Sequence, residues 1–372
     1  MKRRPGSRAA SPVAPAARRS PSQQATLDDV AALAEVSPKT VSRVVNDERS
    51  VSVETRERVL RAIELLEYKP NLNARVLAGD RSFLIGLFCD KPGGYLSEFQ
   101  AGSAERCRES GYHLMVEPWD PHSPQVGRQI TGLLRQLRLE GVILLPPLCD
   151  DRLICNTMRD AGVPMVRIAP RDPAADSPSI GIDDYQASRR LTGHLLDLGH
   201  RRIGFILGRP GHGATEKRYE GFVDEMRRRG VTVENSLVGT GNFRFDDAVA
   251  SAEQLLSHHP RPSAIFASND DTAAAVMSVA HRLALQLPGD LSIVGFDDSP
   301  IAPMLWPPLT TVRQPVAAMA RVATELIINH SPRRNGWPAP PPDIVLGCEL
   351  IVRDSTSPAG ASAPSPEAPG HT

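Results

Sequence analysis

The sequence predicts a small all-α head carrying a helix-turn-helix, followed by a two-lobed α/β core built on parallel sheets. Three observations predict it. Residues 25–68 hold three short stretches of helical apolar periodicity, each opened by capping residues. Residues 82–351 alternate short apolar runs with amphipathic stretches, the pattern of strands followed by helices. That alternation breaks near 170–185 and so divides into two similar halves.

Residues 1–24 carry Lys2, Arg3, Arg4, Arg8, Arg18 and Arg19 without an acidic residue, interrupted by Pro5, Pro12, Pro15 and Pro21. This composition predicts a disordered basic arm, either a plain solubilising leader or one that attracts phosphates. Order is expected from Thr26, where Asp29 three residues on completes a capping-box pattern. Val30, Leu33 and Ala34 mark one face of that first helix. Ser37-Pro38 opens a second: serine accepts from a free amide, and proline suits the first helical position. Val41, Val44 and Val45 form its buried face, and Asn46 ends it. The short connection between the two is that of a helix-turn-helix. A third helix opens at Ser52, is expected to bury Val59, Leu60, Ile63 and Leu66, and stops before Lys69-Pro70.

Pro38, Lys39, Thr40, Ser42 and Arg43 leave the start and outer side of the second helix free of large apolar groups. An inserted recognition helix reads bases with its N-terminal residues. Lys39 and Arg43, four apart, share a face, and both can donate to guanine O6 and N7. Thr40 and Ser42 are suited to phosphates. Charge alone does not demand this, since residues 26–79 hold eight basic and nine acidic side chains. A solvated helix face would show the same two cations.

The run Ala25-Thr-Leu-Asp-Asp-Val-Ala-Ala-Leu-Ala-Glu-Val-Ser-Pro-Lys-Thr-Val-Ser-Arg-Val-Val-Asn46 resembles the DNA-binding head of the LacI/GalR family of bacterial transcription regulators. Val51-Ser-Val-Glu-Thr-Arg-Glu-Arg-Val59, Glu67-Tyr-Lys-Pro-Asn71, Asn73-Ala-Arg-Val-Leu77 and Leu84-Ile-Gly-Leu87 continue the likeness. The resemblance implies that Pro38, Lys39 and Arg43 sit at base-reading positions, with Pro38 contributing sterically. It adds Asn46, Asn73 and Arg75 to the DNA-contacting set. It also implies a hinge helix over 70–80 that orders on DNA and wedges Leu77 into the minor groove of a double-stranded operator. Such a wedge costs unstacking energy but bends the DNA onto more protein. The core is then expected to be periplasmic-binding-protein-like.

In the core, strands are expected at Phe83–Cys89, Leu114–Pro118, Val142–Leu145 and Met165–Ile168, alternating with helices. The pattern resumes with strands at Ser179–Ile182, Ile203–Leu207, Leu237–Gly239, Ala264–Ala267 and Leu291–Phe296. A helix at 315–330 and one strand at Ile344–Ile351 follow. The resemblance implies three crossings between lobes. The first lobe is therefore placed at about 82–178 plus 312–332, and the second at about 179–308 plus 340–354. Residues 355–372, mostly Pro, Ala, Ser and Gly, read as a disordered tail.

Ligands in such sheets bind outside the carboxyl ends of the strands. The family pattern carries effector-binding roles onto Arg218, three residues before Gly221, and onto Asp297 and Asn269. It carries an aromatic platform onto Phe243. Tyr95 and Asp183 are weaker candidates. Asp270 and Asp298 read as a cap and a turn. A guanidinium and a carboxylate suit sugar hydroxyls, which donate and accept together.

Across 372 residues, basic and acidic side chains balance at 43 each. No apolar stretch is long enough to cross a bilayer, and the basic N-terminal stretch lacks the apolar segment of a secretion signal. Five scattered cysteines without a CxxC pair argue against a disulfide framework or a cysteine-ligated zinc, and fit a reducing cytoplasm. Gly208-Arg-Pro-Gly-His-Gly213 lacks the spacing of a phosphate loop, and neither H-E-x-x-H nor G-x-S-x-G occurs. An extracytoplasmic solute-binding protein would need a secretion signal and no head, and a sugar kinase a phosphate site. The expectation is a non-enzymatic regulator, a repressor by its resemblance, with no metal or cofactor. It would bind operator DNA as a homodimer, since the tail has no heptads to add a tetramerising helix. Its effector would be a small molecule, a sugar before a purine or nucleoside.

Overall fold

The computed structural model describes residues 25–45, 50–68, 82–90, 93–120, 123–172, 176–330, 337 and 341–360. The arm 1–24, Asn46, the hinge 70–80 with Asn73, Arg75 and Leu77, and the tail beyond 360 lie outside the described residues. The chain divides into two units, residues 1–80 and 81–372.

The first unit holds α1 (Leu27–Leu33), α2 (Pro38–Val45) and α3 (Val53–Leu65). Thr26 and Asp29 form the expected capping box: Thr26 Oγ1 accepts from the Asp29 amide, and the Thr26 amide donates to Asp29 Oδ2 at 2.8 Å. Ser37 Oγ accepts from the Thr40 amide at 3.2 Å, and Ser52 Oγ from the Thr55 amide at 3.3 Å. Val30, Val41, Val44, Val59 and Ala62 meet in one core that Tyr68 closes. Each fully buried aliphatic side chain contributes about 1.5–3 kcal/mol of transfer free energy. Two expected core residues are not in it. Leu33 is 49% exposed and Leu60 50%. Successive residues on a helix are about 100° apart, so with Val59 and Ala62 facing inward Leu60 is turned toward solvent.

The second unit begins with β1 (Leu84–Cys89), α4 (Gly94–Glu109), β2 (His113–Pro118), α5 (Val126–Gln136) and β3 (Gly141–Leu144). It continues with α6 (Arg152–Asp160), β4 (Met165–Ile168), β5 (Ser179–Ile182), α7 (Asp184–Asp197), β6 (Ile203–Leu207) and α8 (Gly213–Arg228). Then come β7 (Val238–Thr240), α9 (Phe245–Ser257), β8 (Ala264–Ala267), α10 (Asp270–Arg282) and β9 (Ser292–Val294). Last are β10 (Thr311–Arg313), α11 (Val316–Asn329), β11 (Asp343–Leu346) and β12 (Glu349–Ile351).

One six-stranded sheet runs β11-β5-β4-β3-β1-β2 and a four-stranded sheet runs β7-β6-β8-β9, every paired neighbour being parallel. In the second sheet, Ile206, Ile265 and Ile293 pack under α9 and α10. Their neighbours Phe205, Phe266 and Val294 pack on the other face with Leu191 and Phe222. This is the side-chain alternation of a strand covered on both sides. The α/β expectation therefore holds.

The lobe boundaries need correction. β5 (179–182) pairs with β4 and belongs to the first sheet, so the chain crosses after residue 182 and not before 179. The expected single strand at 344–351 is two. β11 joins the first sheet beside β5, and β12 runs antiparallel to β10 on the second lobe. The helix α11 packs on α4, in the first lobe as expected. The segment 355–360, expected to be disordered, is ordered. Ser355 is 1% exposed; its hydroxyl accepts from the Thr310 amide at 2.8 Å, and its carbonyl accepts from the Ile293 amide at 2.9 Å. His200 Nε2 lies 3.0 Å from the Ser357 carbonyl oxygen. A low-hydropathy composition hid a segment held by backbone pairing rather than by apolar burial.

Candidate ligand cleft and nucleic-acid interface

In the head, burial of Val41 and Val44 fixes how α2 is rolled. Pro38 and Lys39 are exposed at its start, while Thr40, Ser42 and Arg43 are half-buried along its side. The Thr40 hydroxyl lies 2.9 Å from Ser37 Oγ, so it helps to close the helix start as well as facing outward. The helix thus presents two cationic side chains and a row of small polar ones, with its own packing complete beneath them.

In the core, the strand ends of both lobes border a cavity of about 440 Å³. Tyr95, Arg218, Phe243, Asn269 and Asp297 all line it, so five of the six expected effector residues come together. Arg218 is the centre. Its Nε donates to Asp184 Oδ1 at 2.8 Å, its Nη1 donates to the Ser268 carbonyl at 2.6 Å, and Asp297 Oδ1 lies 3.7 Å away. The guanidinium stacks on Phe296 at 3.6 Å from the ring centroid and lies 5.8 Å from that of Phe243.

Asp297 follows β9 in a backbone conformation with φ of 110°, strained for a residue with a side chain. Gln314 Nε2 donates to its Oδ1 at 2.7 Å. Burial pushes its carboxyl up to about 8, against the opposing pull of Arg218. Burial, with Asp297 and Asp184 nearby, likewise raises the Tyr95 hydroxyl, which stays protonated. Burial and the Arg218 and Arg209 cations push the His212 imidazole down to about 3. His212 is neutral and caps α8, its Nδ1 accepting from the Ala214 amide at 3.2 Å.

Phe243 lies flat over Gly208, where a Cβ would sit only 2.0 Å from the ring. That glycine is what lets the ring seat itself. Asn269 works as a structural residue as well as a lining one. Its Oδ1 accepts from the Thr272 amide at 3.0 Å and its Nδ2 donates to the Phe243 carbonyl at 3.2 Å, so it both caps α10 and pins the ring's loop.

Asp183 is the expectation that fails. It is exposed, its Oδ1 accepts from the Gln186 amide at 2.9 Å, and it is not among the residues lining the cavity. A cap must point along its own helix, which leaves the neighbouring Asp184 to meet Arg218. Asp297 and Asp298 divide in the same way: Asp298 takes Arg313 at 2.7 Å and Arg353 at 2.6 Å. Asp270 accepts from the Ser299 amide at 2.7 Å and from the Thr311 hydroxyl at 2.7 Å, a structural role as expected.

Sequence reasoning missed Asp184, His212, Gln314, Phe296 and the pair Asp90–Arg209. The two lobes meet directly through Asp90 after β1 and Arg209 after β6, at 2.8 Å. Arg171 and Glu216 meet across the cleft at 3.0 Å. Gly213 backs onto Arg171 so closely that a Cβ would lie 2.7 Å from its Cα. Among the described residues, no group of three or more His, Cys, Asp or Glu side chains is placed to hold a metal ion. No helix there is long and apolar enough to cross a membrane.

Residues 26–71 match the family of bacterial regulatory proteins of the lacI type, and residues 192–356 match the periplasmic binding protein-like domain. The transcriptional regulator DegA of Bacillus subtilis (strain 168) is 32% identical over 338 residues, covering 90% of this chain and 98% of the relative. The chain belongs to the LacI family. It is a DNA-binding transcription regulator, and the relatives it matches are named as regulators and repressors rather than as enzymes. The ribose operon repressor of Escherichia coli (strain K12) is 33% identical, over 82% of this chain and 92% of its own. Among solved LacI-family structures, a lac repressor dimer bound to operator and the anti-inducer ONPF aligns with a TM-score of 0.71 and 27% identity. It covers 90% of this chain and all of that one. A complex of the regulator CelR with cellobiose aligns with a TM-score of 0.67 and 30% identity, covering 89% and 99%.

Proposed function

We propose that this regulator is a homodimeric repressor whose hold on operator DNA is changed by an uncharged, hydroxyl-rich small molecule of the sugar class, enclosed between the lobes of its core. The cluster of Arg218, Asp184 and Asp297 in the cleft carries this reading. It offers guanidinium donors, a carboxylate acceptor and a carboxyl that burial holds partly protonated, which together match hydroxyls that donate and accept. Phe243 adds an aromatic surface suited to the apolar face of a sugar ring. The cavity volume falls within the roughly 300–1,000 Å³ of small-molecule sites. The relative solved with cellobiose and the one named for a ribose operon support the same class.

On the DNA side, Lys39 and Arg43 read base edges, Pro38 shapes the contact, and Thr40, Ser42 and Asn46 reach the backbone. Asn73, Arg75 and Leu77 complete the interface from the hinge. One recognition helix reads a half-site, so a homodimer reads a near-palindromic site. The ligand acts only through its different affinity for the two lobe arrangements.

The decisive experiment is a thermal-shift panel of mono- and disaccharides against purines and nucleosides, followed by operator titrations with and without each hit. A ligand at about 100 times its Kd adds roughly 2.7 kcal/mol to stability. A sugar that stabilises the protein and changes operator affinity is the expected result. A response to purines or nucleosides alone would overturn the effector class, and a 1:1 protein–DNA complex on one half-site would overturn the dimer.

A further inference from the structure

We propose that Asp90 and Arg209 form a charge filter across the cleft, admitting uncharged ligands and rejecting those that carry a carboxylate or phosphate. The proposal rests on the reading that this cleft is the effector site. The two residues come from different lobes, meet at 2.8 Å and border the cavity, with side chains only 15% and 28% exposed. An uncharged ligand can be enclosed without disturbing the pair. An anionic ligand needs a cation, and each arginine among the described residues lining the cleft already has an acidic neighbour. Arg218 is held by Asp184 at 2.8 Å and by the Ser268 carbonyl. Arg244 lies against Asp246 at 3.8 Å and Asp247 at 4.0 Å. Asp90 accordingly occupies the place on Arg209 that a ligand anion would have to take.

Displacing Asp90 would leave a largely buried carboxylate without its partner. Breaking such a pair costs more than forming it returns. The surroundings sharpen the penalty, because the described residues lining the cavity include four aspartates besides Asp297, against three arginines. A further anion would therefore lie close to several carboxylates.

The test uses inorganic phosphate as probe, by isothermal titration calorimetry on the full chain at an ionic strength fixed with chloride. Four proteins are compared: wild type, Asp90→Asn, Arg209→Gln and the double variant. Asp90→Asn should bind phosphate about tenfold or more tightly than wild type, in line with freeing a charge from its partner, and the double variant should lose the gain. The double variant also subtracts phosphate bound elsewhere, including by the head. If Asp90→Asn does not fold, Asp90→Ser makes the same deletion with a smaller polar group. No gain in either folded variant overturns the filter. So does a wild-type protein that already binds phosphate through Arg209, shown by loss in Arg209→Gln. The sugar panel on wild type is read separately. If no uncharged ligand binds there while Asp90→Asn gains phosphate, the sugar reading fails and the filter stands.

Discussion

The head and the core each carry an arginine at a proposed recognition surface, in different surroundings. Arg43 projects from the side of α2, on a helix whose apolar residues Val41 and Val44 complete their packing on the far face. Arg218 is 4% exposed and committed to Asp184, the Ser268 carbonyl and the rings of Phe296 and Phe243. Lys39 is exposed and Arg43 half-buried on the outer side of α2. A cleft that must choose among small molecules satisfies its charges internally and presents a preorganised hydrogen-bonding array. Any change at Arg218 therefore bears on the stability of the core as well as on the cleft.

Removing Arg218 should break this comparison most visibly. Arg218→Ala leaves Asp184 buried without its cation, and breaking a buried pair costs about 3–5 kcal/mol. Chemical denaturation of the full chain should show the core transition moved to much lower denaturant, with the head transition unchanged. Arg218→Lys keeps the charge but loses the fork that reaches Asp184 and Ser268 together, and should fall between the two. A core as stable as wild type in Arg218→Ala would mean that the cluster is solvated rather than paired. Operator titrations on effector response are interpretable only in the variant that stays folded.

Arg43→Ala should cost about 1–3 kcal/mol on the specific site, the worth of one bidentate base contact. Random-sequence DNA should be affected far less. Equal losses on specific and random DNA would make Arg43 a phosphate contact and weaken the contrast with Arg218.

The same contrast explains what was legible in the sequence. The head is local: its caps at Thr26, Ser37 and Ser52 and its core valines lie within a few residues of the helices they define. Only the roll of α1 and α3 escaped, at Leu33 and Leu60, because two adjacent apolar residues do not say which one faces in. The α/β alternation was equally plain. The cleft is not local. Arg218 and Asp297 were identifiable from motif position, but Asp184 was hidden behind the equivalent-looking Asp183, and only the helix start decides which of the two caps. Gln314 and the Asp90–Arg209 pair carry no short-range signal, because their partners come from distant strand ends. β5 and β11 join a different lobe from the one expected for the same reason: a four-residue strand such as Ser-Ile-Gly-Ile or Asp-Ile-Val-Leu does not state which sheet it joins.

Titration sharpens the comparison further, because the buried cluster should respond to pH where the exposed face does not. Asp297 has its carboxyl raised to about 8, above an unfolded value near 3.9. Between those values the native state holds the extra proton, so the stabilisation is present at low pH and is lost as pH rises toward 8. His212, lowered to about 3, acts with the opposite sign and only below its unfolded value of about 6.5. From pH 6.5 to 8 the two separate. Core stability should fall there with a slope of at most about 1.4 kcal/mol per pH unit. Asp297→Asn should flatten that limb and leave the acid limb shaped by His212. An unchanged slope in Asp297→Asn would place the ionisation elsewhere.

The smallest effect expected belongs to the head's own construction. Thr26→Ala deletes the hydroxyl that accepts from the Asp29 amide, while the Thr26 backbone amide can still donate to the Asp29 carboxylate. One orphan donor of α1 returns to water, and loss of such a cap costs about 0.5–2 kcal/mol. Because α1 is seven residues long, it has no interior to absorb the loss, and its amides should exchange faster from Leu27 onward. Amide hydrogen exchange resolves this directly. Faster exchange confined to residues 27–34 is expected, with α2 and the core transition unmoved. If α2 loosened equally, the three helices would behave as a single cooperative block, and the separation between a locally built reading helix and a globally built cleft would fail at the head.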